Sequence, residues 1–123
     1  MHKLFLKISI IMAALSVVLG AFGAHALKDI LDERHLQIFE TGVKYQFYHS
    51  LGMMLAAILY KEFSNPFTIW CCRLFLVGVI LFSGSLYALA WFNGLHSWIG
   101  IVTPFGGLSF IIGWAMLFKG ISR

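Results

Sequence analysis

Phe39-Glu-Thr-Gly-Val-Lys-Tyr-Gln-Phe-Tyr-His-Ser-Leu51 opens an apolar run that continues to Tyr60, yet it carries Gln46, His49 and Ser50 into that run. On a helix, Gly42, Tyr45, Gln46, His49, Gly52 and Ala56 recur at spacings of three and four and share one face. Small and polar residues on one stripe of a membrane helix point at other helices, because lipid offers no hydrogen-bond partner. The stretch therefore predicts a helix packed inside a helical membrane protein, with a candidate site on its inner stripe.

The whole composition agrees. The chain has 123 residues, which is one domain, with 60% hydrophobic and only 11% charged residues. Soluble domains carry roughly 45–50% and about 25%. The net charge of +4 comes from scattered basic residues that mostly end apolar runs, so nucleic acid is not an expected partner. Cys71 and Cys72 are adjacent and have no metal-binding spacing, so they read as small span residues.

Outward from this stretch, the sequence predicts an all-α membrane protein with four transmembrane helices in a bundle, over residues 4–24, 43–60, 74–92 and 98–118. The first run is long enough to cross the hydrocarbon, at roughly 31 Å. A rival reading makes it a secretory signal peptide, with Lys3 and Lys7 ahead of an apolar core and Ala24-His25-Ala26 as a cleavage site. Against it, Ser16, Gly20 and Ala24 form a small-residue row suited to a permanent neighbour. Residues 25–44 hold four of the five acidic residues, with Leu36, Phe39 and Val43 on one stripe. They are expected to form a short amphipathic helix in the interface between the first two spans. Ser64-Asn65-Pro66 is a break. Thr103-Pro104 interrupts the fourth run. Either Pro104 kinks a continuous helix, or Thr103 caps a shortened one and leaves residues 98–103 non-helical. The second is the expectation.

With four spans, both termini and the 61–73 connection share a side that holds six bases (Lys3, Lys7, Lys61, Arg73, Lys119, Arg123), against three on the other (Lys28, Arg34, Lys44). The positive-inside rule puts the termini in the cytoplasm of a multi-pass cell-membrane protein. Trp70, Trp91, Trp98 and Trp114 are expected at span ends, in the aromatic belt. His25, His35, His49 and His96 then fall near the outer face, with Gln46, Tyr45, Tyr87 and Thr103, and polarity stops at mid-membrane. No histidine pair has helical ligand spacing, so no metal is expected, and nothing implies a cofactor. Dinucleotide, phosphate-loop, nucleophile-elbow and zinc-protease motifs are missing. Ser83 or Ser85 with His49 lacks an intramembrane acid to orient the base, and the same lack weakens a proton-coupled transporter.

Several motifs carry a resemblance. They are Gly20-Ala-Phe-Gly-Ala-His-Ala-Leu-Lys28, the 39–51 stretch, Phe82-Ser-Gly-Ser-Leu-Tyr87, Thr103-Pro-x-Gly-Gly107 and Gly113-Trp114. In that order they resemble the domain of unknown function 423 family, YgdD/YwdK-like small bacterial inner-membrane proteins, with eukaryotic relatives called transmembrane protein 256. The resemblance covers nearly the whole chain. It implies a four-span inner-membrane protein and no established activity.

The expected function is a binding or scaffold protein that holds a lipid, a quinone-like head group or a partner helix in a polar pocket in the outer half of the bundle. Its candidate residues are His49, Gln46, Tyr45, His25, Ser83, Tyr87 and Thr103. Gly20, Gly42, Gly52, Gly84, Gly106 and Gly107 are the candidate packing positions. A small channel or transporter and a membrane-embedded enzyme are the alternatives. Membrane lipids are partners, and a homo-oligomer is expected. Within the site, His49 is expected to meet Tyr45, Gln46, Ser83, Ser85, Tyr87 or Thr103.

Overall fold

Polar side chains start the first three long helices of the computed structural model, which describes residues 2–92 and 97–122, without the side chains of residues 97 and 98. His2 caps α1 (Lys3–His25), its Nδ1 accepting the Phe5 N–H at 3.4 Å. Asp32 caps α2 (Glu33–Leu59) by accepting the His35 N–H at 2.8 Å and the His35 ring N–H at 2.7 Å. That backbone N–H, and then the ring, hold the Asp32 carboxyl below the usual carboxylate range. Asn65 caps α3 (Pro66–Gly78), accepting from Phe67 N–H at 3.0 Å, with Pro66 at the first position, where no amide proton is needed.

A 3₁₀ turn, Leu27–Asp29, joins α1 to α2. From Gly78 the chain runs without a break through a π-helical segment, Val79–Ser83, into α4 (Gly84–Trp91). The last helix, α5, is Ser97–Ile121. No strand occurs among the described residues.

Three of these stretches are long and apolar enough to cross a membrane: Lys3–Asp29, Pro66–Trp91 and Ile99–Ile121. The rod that contains the deciding stretch, α2, is not one of them, because charges fill its first turns and Lys44, Gln46 and His49 lower the hydropathy of the rest. Residues 33–44 do not form a separate interfacial helix; they are the first turns of α2. Nothing between Glu33 and Leu59 breaks a helix, and the glycines there sit under aromatic rings rather than at a turn. An added Cβ would lie 2.8 Å from Tyr87 at Gly42, and 2.8 Å from Phe75 at Gly52. The third rod starts at Pro66 rather than at 74, since Arg73 marks a change of polarity and not of backbone.

Pro104 lies inside α5, so residues 98–103 are helical and Thr103 is not a cap. The proline ring faces the carbonyl four residues back, that of Gly100. An added Cβ at Gly100 would meet nothing within 4 Å. Asn93, Gly94 and His96 lie outside the described residues.

The rods pack side by side. α1 lies along α2, α2 along the α3–α4 rod, and α5 along that rod, with its Phe110 and Trp114 also reaching α2. One end is tied together by the His2 N–H on the Ala57 carbonyl (2.9 Å) and by Asn65 Nδ2 on the Gly120 carbonyl (3.0 Å). Both ends of the described chain and the 60–65 turn therefore meet there. The opposite end is held by buried Leu27, Phe39 and Ala90. The main core is Phe5, Met12, Met53, Ala56, Phe75 and Phe110 with their neighbours.

Glycine sets the closest approach. At Gly106 an added Cβ would lie 2.7 Å from Phe82 Cα, on the π segment, and at Gly113 it would lie 2.6 Å from the Phe75 ring. Gly20 and Gly107 make ordinary contacts at 3.4 Å (Val43) and 3.8 Å (Phe82), and Gly84 faces open space. Gly106→Ala is expected to destabilise the protein by about 1–3 kcal/mol, because backbone cannot move aside. Gly84→Ala should be neutral or stabilise by about 0.5–1 kcal/mol through helix propensity. Unfolding of the two variants in detergent, followed by circular dichroism, checks the contrast.

Candidate functional site

Gln46 and His49 stand one turn apart on the buried stripe of α2, and each is about 5% exposed. The Gln46 amide is used at both ends. Its Nε2 donates to the Met12 carbonyl of α1 at 2.8 Å, and its Oε1 accepts the Tyr87 hydroxyl of α4 at 2.6 Å. His49 Nδ1 is 2.9 Å from the Tyr45 carbonyl, and its Nε2 accepts the indole N–H of Trp114 at 3.0 Å. A carbonyl only accepts and an indole N–H only donates, so this pair of partners requires the neutral imidazole with its proton on Nδ1. Phe110 stacks on the His49 ring, with centroids 3.6 Å apart and planes 10° apart, and Phe75 meets it edge-on at 5.1 Å.

Other polar side chains pair separately. Ser83 donates to the Gly42 carbonyl at 2.7 Å, and the Ser85 and Thr103 hydroxyls are 2.6 Å apart. Ser109 donates to the Leu74 carbonyl at 2.7 Å. The expected residues therefore divide into four groups: Gln46 with Tyr87, His49 with the Tyr45 backbone, Ser83 with the Gly42 carbonyl, and Thr103 with Ser85. His25 is exposed in the last turn of α1, and among the described residues no hydrogen bond joins it to them.

Two expectations change. Trp114, 43% exposed, is more than a residue near a span end: its indole bonds His49 across to α2, seven residues or about 10 Å before the end of α5. His49 lies near mid-length of α2. Polarity also does not stop halfway. The paired groups run from Ser85–Thr103 to Asn65–Gly120, along the whole length of α5. Among the described residues no buried side-chain nitrogen or oxygen lacks a partner. Trp114 carried a signal in Gly113-Trp114. Gly106, Gly113 and Gly120 recur every seven residues and mark the α5 face against α3, a row the sequence reading did not use.

Beside this cluster is a cavity of 430 Å³, bounded by Tyr45, His49, Phe82, Gly107, Phe110 and Trp114, with Ile111 at its edge. Tyr45 is 38% exposed, and its hydroxyl has no partner among the described residues. The walls offer aromatic faces and one free hydroxyl. With both nitrogens engaged, His49 is neither an open base nor a ready metal ligand, and no group of three metal-binding side chains forms among the described residues.

A family model described as "Protein of unknown function (DUF423)" matches residues 19–107. The chain belongs to this family. It is 41% identical over 116 residues to the UPF0382 membrane protein YwdK of Bacillus subtilis (strain 168), covering 94% of this chain and 93% of that protein. It is 37% identical over 121 residues to the UPF0382 inner membrane protein YgdD of Escherichia coli (strain K12), covering 95% and 91%. A third relative, UPF0382 membrane protein SH2409 of Staphylococcus haemolyticus (strain JCSC1435), is 40% identical over 115 residues, covering 94% and 92%. No solved structure matches the chain. The apolar helices and these relatives agree on a membrane protein of an uncharacterised family.

The His49–Trp114 bond joins α2 to α5 directly. In a double-mutant cycle of His49→Phe and Trp114→Phe, the coupling is expected to be about 0.6–1.7 kcal/mol, the range of hydrogen bonds between membrane helices. Unfolding in detergent micelles measures it, and strictly additive losses would deny that the bond joins the helices.

Proposed function

We propose that the protein is a four-span binding protein, with α2 as the fourth span and both termini in the cytoplasm, that holds the ring of an amphipathic molecule in the cavity beside His49. The ligand class is a quinone-like head group. A flat ring matches the Phe110, Phe82 and Trp114 faces, and a ring oxygen can accept from the free Tyr45 hydroxyl. The observation that carries this reading is the 430 Å³ aromatic cavity against a fully paired polar interior. Polar groups bonded to one another do not line a path for a solute, which favours binding at the side over conduction through the middle. The same pairing argues against His49 as a general base.

Gly107 supplies the test of the cavity. An added Cβ there meets only the Phe82 ring, at 3.8 Å, so Gly107→Leu should fold and fill the space. Titrating the purified protein with a short-chain quinone should quench tryptophan fluorescence saturably, and Gly107→Leu should weaken binding by about tenfold or more. Equal titrations of the two proteins would refute the site.

Orientation is read by cysteine labelling of intact cells, after replacing the buried Cys71 and Cys72. Probes at 29–35 should react from outside and probes at 62–64 should not. The reverse pattern would put the termini on the outer side.

A further inference from the structure

At the end where His2, Tyr60, Asn65 and Gly120 meet, a second cavity of 260 Å³ opens between the α2–α3 turn and the first turns of α3. Tyr60, Ser64, Asn65, Trp70 and Arg73 contribute to its walls. Arg73 is seven residues into α3, about 10 Å along the helix from Pro66. Helical side chains lean toward the helix start, and the Arg73 guanidinium sits 5.0 Å from the centre of the Trp70 ring, one turn back. Its charge is thereby carried toward the end of the rod while its methylenes stay along the apolar face.

Arg73 has no carboxylate partner among the described residues, whose only ion pair is His35 with Asp32. The Ser64 and Tyr60 hydroxyls also lack hydrogen-bond partners there, whereas Asn65 is committed to the Gly120 carbonyl and to the start of α3. The surroundings are basic. Lys3, Lys7, Lys61 and Lys119 share this end with a single acid, Glu62, while the opposite end has four acids against three bases. Trp70, Arg73 and Val77 on α3 and Ile80 on the π segment that continues it lie three and four residues apart, and the three apolar members are 48%, 44% and 62% exposed. One exposed stripe thus joins an unpaired guanidinium and two free hydroxyls to an apolar track running along the rod.

We propose that this cavity binds the phosphodiester head group of an anionic phospholipid. The Arg73 fork faces the phosphate, Ser64 and Tyr60 donate to it, and the acyl chains follow Val77 and Ile80. A planar guanidinium matches two phosphate oxygens at once. A zwitterionic head group offers the same phosphate but brings a cation into a basic neighbourhood. The site is separate from the cavity beside His49 and depends on neither that reading nor the orientation of the chain.

The test uses the full chain purified in detergent and mixed with equal amounts of phosphatidylglycerol and phosphatidylcholine, with retained lipid counted by native mass spectrometry. The wild-type protein should retain phosphatidylglycerol over phosphatidylcholine by about fivefold, the size expected of one basic residue at a lipid surface. Arg73→Gln should bring the two lipids to parity, and so should Ser64→Glu, which leaves Arg73 in place and puts a like charge where the phosphate would sit. Arg34→Gln, at the other end, should keep the preference. Parity in the wild type, or a preference that survives both Arg73→Gln and Ser64→Glu, would overturn the proposal. Loss of the preference in excess inorganic phosphate would assign the site to a free anion and overturn the lipid reading.

Discussion

Gln46 holds three helices at once. It is a buried primary amide on α2, and its two ends are taken by the Met12 carbonyl of α1 and the Tyr87 hydroxyl of α4. In an apolar surrounding an unpaired amide costs on the order of 1–3 kcal/mol. Any rotation of α2 that separated Gln46 from either partner would incur that cost, so the amide sets the angular position of α2 between its neighbours. His49, one turn on, does the same toward α5 through Trp114. Together they give α2 a single orientation that apolar packing, which is non-directional, does not supply.

These bonds require close helices, and small residues allow it. The Phe82 backbone can lie against α5 because residue 106 has no side chain, and Gly42 and Gly52 leave room for the Tyr87 and Phe75 rings. The π segment Val79–Ser83 is the stretch that meets Gly106, and its last residue, Ser83, returns a hydrogen bond to the Gly42 carbonyl. Serine hydroxyls on carbonyls recur along the rods, at Ser50 on Gln46, Ser83 on Gly42 and Ser109 on Leu74. Among the described residues every buried side-chain nitrogen and oxygen is engaged in this way with the protein itself.

Much of the candidate site was legible before its geometry. The spacing of Gly42, Gln46, His49, Gly52 and Ala56 predicts one stripe, and all five are buried on α2. Tyr45, counted on the same stripe, is half exposed because its ring leans on Phe82 at the edge of the cavity, with centroids 4.7 Å apart. What the spacing does not carry is which group across the gap meets each polar atom. The six candidates for His49 were polar or local. The partner found across the gap is the indole of Trp114, which residue-type reasoning assigns to the membrane surface.

The sequence by itself determined the helical character of the chain, the first rod and the buried stripe, because these depend on residues within a few positions of one another. The first rod was placed to within a residue at each end, while Asp32 and Asn65-Pro66 start α2 and α3 earlier than the apolar runs at 43 and 74 suggest. Three matters were decided only in the tertiary structure. Residues 33–44 continue α2, since the rings of Tyr87 and Phe75 cover the glycines where a break might have come. Pro104 stays inside α5, where Ser85 takes the Thr103 hydroxyl that would otherwise have capped a shorter helix. Gln46 and His49 divide between different neighbours, since a hydrogen bond in a closed interior is settled by which helix stands opposite, and that is not written in the spacing of either helix alone.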